Sequence, residues 1–395
     1  MPTTASRDNR LRSWLYLGLL ISNNPARRRA FLAHYGTLEA AVRASRRGWR
    51  SAGLLRLEGG KDIFGPVRPG GIPEVEAALD DTGAWADEQI STAGKLGASF
   101  LCLDDPGYPE WLRATHDPPA LLHVRGDAGL LAKISVAVVG ARRATAYGLT
   151  VARSLGAGLA REGVSVVSGG ARGIDREAHA GALEESGPTV VVTGAGLDRP
   201  YPAENKGLFD RVAERGAVIS EFPFGAVPQP HHFPIRNRVI AGLSAGVVVV
   251  EGAAGSGSLI TAACALEAGR EVFAVPGLVT SPLSEGPNGL LREGATLVRS
   301  AQDILEGLPA WAWEAGLKVP ENRRPPTGQD GGVDGAPAGP EEALLSALDG
   351  AAGRTADDLA HSLGMAAGDL LGALMELELK GRVRQLPGGI FVRRG

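Results

Sequence analysis

The sequence predicts an α/β protein with a doubly wound, mainly parallel sheet at its centre, a small all-α domain before it and a winged-helix-like domain after it. Short valine-rich runs alternate with helical segments between Ile134 and Leu308. Earlier residues repeat apolar positions at helical spacing, and the last part of the chain orders three amphipathic helices before two strands. We therefore expect domains over 1–100, 101–310 and 341–395, with a flexible linker over 311–340.

Composition limits the function classes only loosely. The 395 residues are 44% apolar and carry a net charge of −3, so any nucleic-acid role depends on local charge. The first 60 residues contain eleven arginines and three acidic residues, which makes the amino end basic. Cys102 and Cys264 have no metal-ligand spacing, and the apolar run from Trp14 to Ile21 is too short to span a bilayer. We expect a cytoplasmic protein without a membrane anchor, a metal site or a disulfide framework.

Each domain has its own pattern. In the front domain, LRSWLYLGLL, ARRRAFLAHYG and TLEAAVRAS read as helices, and the proline-rich residues 103–127 read as a connector. The core strands are predicted in ISVAVVG, VSVVSGG, TVVVTGAG, AVISE, GVVVVEG and EVFAVPG. Helical residues between such continuous apolar strands indicate a Rossmann-like sheet covered on both faces.

The tail reads as EEALLSALDG, TADDLAHSLG and AAGDLLGALMELELKG, three helices, followed by a hairpin in RVRQLPGGIFVRR. The last helix is acidic, which disfavours its entry into a DNA groove. We expect this domain to bind protein partners, or to touch DNA only through wing residues Arg382, Arg384, Arg393 and Arg394.

A phosphate-binding loop is predicted in VVSGGARGI. Gly169 and Gly170 allow backbone N–H groups to approach an anion, the following helix adds partial positive charge, and Arg172 adds a full charge. Asp175 is interpreted as a helix-start residue that holds the loop rather than as a catalytic acid. A loop of this kind fits an anionic ligand.

Comparable loops recur along the same domain, which favours a polyanion over a single nucleotide. Arg142 follows the first core strand, and HHFPIRNRVIAG places Phe233 beside Arg236, Asn237 and Arg238, an arrangement suited to base stacking and phosphate binding. Gly257 and Ser258 open another helix in GAAGSGSLITA, as an anion-lined turn or a plain helix cap. A structural alternative remains open. In it, Phe233 is a core residue and Arg238 pairs with Glu251 or another carboxylate. His231 and His232 are expected to be solvated.

Seven segments follow one another in a characteristic order: VAVVGARRATAYG, SGGARGIDREAHAGAL, GLDRPYPAEN, ISEFPFG, HHFPIRNRVIAGLS, VVVVEGAAGSGSLITAACALEAGREVFAVPG and GPNGLLREGATLV. Over about Asp104 to Gly307 they resemble the DprA/Smf family of bacterial DNA-processing proteins. The basic front, as a SAM-like domain, and the winged-helix-like tail fit members that carry both accessory domains.

The resemblance implies a protein that is not an enzyme, uses no cofactor and binds single-stranded DNA as a homodimer. It also implies that the protein protects incoming DNA and loads a RecA-type recombinase during natural transformation, with a single-strand-binding protein as a further partner. Arg142 and Arg172 would hold phosphates, and Phe233, Arg236, Asn237 and Arg238 would frame the pocket. Ala141 replaces a Ser or Thr that is common in the family, which removes one hydroxyl contact.

Two other hypotheses stay open at this point. Phosphoribohydrolases of the LOG type use a related core and a PGGxGTxxE turn, but Leu259, Ile260 and Thr261 occupy the comparable turn here and provide no carboxylate. The chain also has no Walker A motif and no nucleophile arrangement. Alternatively, the protein is a scaffold whose arginines are structural, in which case it has no salt-sensitive affinity for DNA.

Overall fold

A computed structural model describes residues 4–22, 25–52, 54, 61–62, 65–66, 83–309 and 312, and in the tail residues 344–345, 347–348, 354–363, 365, 367–379, 382–386 and 390–393. The chain forms two compact units, Met1–Arg324 and Pro325–Gly395. Nearly all of the predicted linker lies outside the described residues. None of the described helices is both long and apolar enough to cross a membrane.

Three helices open the first unit, as predicted: α1 (Thr4–Ile21), α2 (Pro25–Tyr35) and α3 (Leu38–Ser51). Trp14, Phe31 and Trp49 are fully buried between them, and the rings of Phe31 and Trp49 meet edge to face at 5.4 Å. Their cluster continues into the sheet through β-strand residues such as Leu121. A short antiparallel pair, β1 (Lys61–Asp62) and β2 (Gly65–Pro66), follows.

The centre of the unit is one nine-stranded sheet. Its strands lie in the order β11, β10, β9, β5, β6, β7, β8, β4, β3, and those from β5 to β11 pair in parallel. The mainly parallel sheet that the sequence predicts is therefore confirmed. The bounds are β3 Ala98–Cys102, β4 Leu121–Gly126, β5 Ser135–Val139, β6 Ser165–Ser168, β7 Thr189–Val192, β8 Ala217–Ser220, β9 Gly246–Val249, β10 Glu271–Ala274 and β11 Thr296–Leu297.

Helices cover both faces of this sheet. Along β5, Val136 and Val138 join the apolar cluster that contains Leu155, whereas Val139 joins the cluster that contains Ile240. Burial on both faces explains why these strands are continuous apolar runs. The helices are α4 Ala84–Leu96, α5 Glu110–Arg113, α6 Ala146–Arg161, α7 Ile174–Glu184, α8 Lys206–Arg215, α9 His232–Leu243, α10 Gly257–Glu267, α11 Glu285–Arg292 and α12 Ala301–Gly307.

Residues 103–127 are not simply a connector, and the prediction is wrong for their second half. Strand β4 pairs antiparallel with β8 on one side and with β3 on the other, so this region extends the sheet. The prolines at 118 and 119 precede β4, where they remove no ladder hydrogen bond. The run LLHVRG is therefore a strand that the surrounding proline content concealed.

The second unit contains β12 (Arg354–Thr355), α13 (Ala356–Leu363), α14 (Ala367–Leu379), β13 (Val383–Leu386) and β14 (Ile390–Arg393). The predicted hairpin is confirmed, because β13 and β14 pair antiparallel, and β12 adds a third strand. Most of the first predicted helix lies outside the described residues, although Leu344 and Leu345 are buried with Leu374 and Phe391. Arg382 is exposed, and Arg394 lies outside the described residues.

Candidate nucleic-acid interface

A cleft opens at the carboxyl edge of the parallel strands, where the strand order reverses between β5 and β9. In doubly wound sheets ligands bind at such a switch point. A cavity of about 250 Å³ lies in the cleft, lined by loops that follow β5 and β6 and by the first turns of α9 and α10. Six predicted site residues line it together: Arg142, Phe233, Arg236, Asn237, Gly257 and Ser258.

Arg142 extends into the cleft from a firmly held loop. The Glu251 carboxylate accepts hydrogen bonds from Thr145, from its amide at 2.9 Å and from its hydroxyl at 2.6 Å. The Ala141 amide donates to the Glu251 carbonyl at 2.8 Å. Arg142 itself is exposed and, among the described residues, forms no ion pair. The backbone of the loop is therefore fixed while the Arg142 guanidinium stays available to a ligand.

Two guanidinium groups lie beside the Phe233 ring. The Cζ atom of Arg142 lies 4.9 Å from the ring centroid, and that of Arg236 lies 6.0 Å from it. The centroid of the Tyr201 ring lies 5.6 Å from the centroid of the Phe233 ring. Phe233 is only half-buried, so it is not simply a core residue. The arrangement places an aromatic surface beside positive charge, as a nucleotide chain requires.

Arg236 is a buried cation whose positive charge is only weakly compensated by neighbouring negative charge. It is 5% exposed, one of its Nη atoms donates to the Val192 carbonyl, and its Nε has no partner among the described residues. Burial, with a smaller contribution from Arg142, lowers the pKa of its guanidinium to about 10, and Asp175 opposes this shift. Burial also raises the pKa of Asp175, so neither group is fully stabilised by the other. A phosphate in the cleft would supply the missing negative charge.

The glycine loop after β6 packs against Arg236 at the cleft. The Gly169 and Ala171 amides donate to the Asp175 carboxylate at 3.2 and 3.3 Å, as expected for a residue that holds the loop. A Cβ at Gly169 would overlap the Arg236 guanidinium. Gly170 has φ +64°, and a Cβ there would lie 2.5 Å from the Phe209 ring. In this arrangement both glycines provide space, and the Gly169 amide already has a partner.

Arg172 lies outside the cavity. It is exposed at the surface, where its Nε forms an ion pair with Glu204. The pKa of Glu204 is lowered by this pairing. A role in holding phosphate stays a prediction, because the contact would require the pair to open or to share the ligand.

Arg238 faces away from the cleft, which corrects its predicted position. Its Nη2 donates to both Glu221 oxygens at 2.6 Å, and its Nε lies 3.3 Å from Asp117, which also pairs with Arg28 of α2. Burial alone would lower the pKa of Arg238, but Glu221 and Asp117 together raise it. The alternative that Arg238 pairs with a carboxylate is therefore confirmed, with Glu221 and Asp117 in place of Glu251.

Asn237 and the start of α10 complete the floor of the cleft. The Asn237 amide donates to the Gly257 carbonyl at 3.1 Å and so ties α9 to α10. The hydroxyls of Ser256 and Ser258 lie 2.8 Å apart. Two helices of at least eleven residues thus begin at the cavity, and their N-termini favour negative charge.

The histidine prediction holds for only one residue. His231 is exposed, whereas His232 is buried, stacks on Phe222 at 4.1 Å and contacts the Gly194 carbonyl through Nδ1 at 3.1 Å. Burial, and next His231, lower the pKa of His232 to about 4. Within the described part of the chain, no group of three or more potential metal-ligating side chains was found.

Sequence reasoning missed the contacts that hold the site in place. Glu251, Glu221 and Asp117 are acidic residues whose partners come from distant segments. The one available signal was position, since Glu221 and Glu251 directly follow the buried strand runs AVIS and VVVV. A carboxylate at the end of a buried strand requires a partner.

Comparison with known proteins agrees with this geometry. Residues 99–309 match the family model described as DNA recombination-mediator protein A, and residues 332–389 match the DprA winged helix domain. The chain belongs to the DprA/Smf family. The family covers more than half of the chain and includes the whole cleft, so the expected family resemblance is confirmed.

Three relatives show the extent of the similarity. A putative DNA processing protein DprA from Mycobacterium tuberculosis is 36% identical over 387 residues, which cover 95% of this chain and 92% of the relative. DNA processing protein DprA from Bacillus subtilis is 46% identical over 54% of this chain and 72% of its own length. The X-ray structure of DprA from Streptococcus pneumoniae superposes with a TM-score of 0.53 at 39% identity, over 60% of this chain and 86% of that one.

Proposed function

We propose that the cleft binds single-stranded DNA, and that the protein protects incoming DNA and loads a RecA-type recombinase onto it during natural transformation and recombination. The observation that carries the proposal is the Phe233 ring beside Arg142 and the undercompensated Arg236, in a cavity at two helix N-termini. Membership of a family of DNA-processing proteins supports the class of ligand.

In this proposal Arg142 changes partner when DNA binds. Its contact with the Phe233 ring is a cation–π interaction of about 0.5–1 kcal/mol, which a phosphate can replace. A base then stacks on the freed ring face and contributes about 1–3 kcal/mol. Arg236 stays in place and attracts the backbone, because the Val192 carbonyl accepts its hydrogen bond and Gly169 leaves room for its guanidinium.

The salt dependence of binding tests the proposal. For single-stranded DNA the slope of log affinity against log salt is about −0.7 for each phosphate contacted. Arg142→Ala should therefore flatten the slope by about 0.7 for a labelled dT oligomer followed by fluorescence anisotropy. Arg215→Ala is the matched control, since this exposed arginine ends α8 at the opposite edge of the sheet. Equal slopes and affinities for wild type and Arg142→Ala would refute the assignment.

Phe233→Ala separates stacking from charge. It should weaken binding by about 1–3 kcal/mol with little change of slope, because stacking releases few counterions. A changed slope at unchanged affinity would contradict the stacking role.

The partners are proposed on the basis of the family resemblance. We propose a homodimer in the cytoplasm, with the recombinase and a single-strand-binding protein as partners, and no catalytic activity of its own. Light scattering with and without DNA tests the dimer, and recombinase filament formation on DNA already coated with single-strand-binding protein tests loading. Release of free base from nucleoside monophosphates would revive the phosphoribohydrolase alternative. Against that alternative, the cleft carboxylate of Asp175 already accepts backbone N–H groups.

A further inference from the structure

Two exposed tyrosines lie at the same edge of the sheet as the cleft. Among the described residues, Tyr147 and Tyr201 are the aromatic side chains that are highly exposed, at 52% and 39%. Tyr201 follows β7 and contacts Phe233. Tyr147 lies in the first turn of α6 and, unlike Tyr201, contacts the loop that follows β10. The proposed DNA site between them does not account for Tyr147.

The Tyr147 ring is exposed but held at both ends. Its hydroxyl donates to the Pro276 carbonyl at 3.1 Å, and its backbone follows Thr145, which Glu251 fixes. Gly148 has to be a glycine, because a Cβ there would overlap the Glu251 carboxylate. A ring that is already ordered loses little conformational entropy when it binds a flat ligand.

Exposed apolar side chains occur at the cavity and directly after Pro276, whose carbonyl the Tyr147 hydroxyl contacts. Ile260 lines the cavity and is 38% exposed, and Leu278 and Val279 follow Pro276 with exposures of 76% and 93%. Exposed apolar groups near a polar site indicate a binding surface. The order of strand ends from Tyr201 to Tyr147 is β7, β6, β5, β9 and β10.

We infer that Tyr147 is a second base-stacking residue, and that a single DNA strand crosses the carboxyl edge of the sheet from the end of β7 to the end of β10. Four spacings of about 4.8 Å separate these strands, or roughly 19 Å. At the 3.4 Å per nucleotide of a stacked strand this distance corresponds to about six nucleotides, and to fewer in an extended strand. The inference rests on the proposed function of the cleft.

Oligomer length provides the first test. With dT oligomers of increasing length, Tyr147→Ala should bind the shortest ones like wild type. It should lose roughly 5- to 140-fold in affinity once the strand is long enough to reach both Phe233 and Tyr147. The salt slope should not change. Tyr147→Phe keeps the ring and should bind nearly as well as wild type. Leu266→Ala is the control, because this residue is 63% exposed near the far end of α10.

A single 2-aminopurine placed at successive positions of the oligomer provides the second test, since stacking quenches its fluorescence. Tyr147→Ala and Phe233→Ala should each relieve quenching at one position, and the two positions should lie several nucleotides apart. Relief at the same position, or no effect of Tyr147→Ala at any length, would overturn the inference while leaving the proposed function intact. If neither Arg142→Ala nor Phe233→Ala changes the affinity for DNA or its salt dependence, the proposed function itself is refuted.

Discussion

Replacing Arg236 by methionine should stabilise the unliganded protein while weakening its binding to single-stranded DNA. Burial lowers the pKa of this guanidinium from its usual value to about 10, so holding it charged at neutral pH costs the folded protein about 3 kcal/mol. The variant also loses the hydrogen bond to the Val192 carbonyl, worth about 1 kcal/mol, and leaves that carbonyl without its donor. We expect a net gain of about 1 kcal/mol in the free energy of unfolding.

Arg238→Met is the matched comparison, two residues further along the same helix. Arg238 is largely buried, with its side chain 20% exposed, but Glu221 and Asp117 compensate its charge. Its removal leaves the nearly inaccessible Glu221 carboxylate without this partner, which costs about 3–5 kcal/mol. The two arginine variants should therefore shift stability in opposite directions.

Urea unfolding at pH 7.5, with and without a saturating dT oligomer, measures both effects. At a DNA concentration of 100 times the wild-type Kd, DNA should raise the free energy of unfolding of the wild type by about 2.7 kcal/mol. The same DNA concentration should raise the free energy of unfolding of Arg236→Met by much less, because this variant binds DNA more weakly. The slope of unfolding free energy against urea should not change between variants. If Arg236→Met destabilises the free protein as much as Arg238→Met does, Arg236 is a structural cation and the reasoning is refuted.

Three further predictions concern the framework of the site. Gly170→Ala should destabilise the protein by about 1–3 kcal/mol in urea unfolding, because of its positive φ and the Phe209 ring, whereas Gly207→Ala, in an open helical position, should not. His123 is fully buried, which lowers its pKa to about 4, so its contribution to stability is complete above pH 6.5 and is lost as the pH falls towards 4. As the pH falls over that range, the free energy of unfolding of His123→Phe should therefore decrease by about 3 kcal/mol less than that of the wild type. Equal decreases in the two proteins would contradict this prediction. Glu204→Gln should raise DNA affinity if Arg172 binds phosphate, and unchanged affinity would leave Arg172 outside the site.

The amino-acid sequence alone determined the parallel core, the hairpin of the tail and most of the cleft. Buried parallel strands are continuous apolar runs, and their carboxyl ends meet at one edge, so Arg142, Phe233, Arg236 and Asn237 could be predicted to lie together. The same reasoning failed for β4, because the prolines around it indicate a loop while its pairing with β8 is a long-range contact.

Only the tertiary structure decided which arginines are available to a ligand. Arg236 and Arg238 occupy one motif, but a helix turns about 100° per residue, so side chains two positions apart point to different surroundings. Arg236 lies beneath the cleft, and its charge is poorly compensated. Arg238 forms ion pairs with Glu221 and Asp117, which come from separate segments of the chain. The charge of a side chain is a property of the sequence, whereas its partner depends on how distant segments pack in three dimensions.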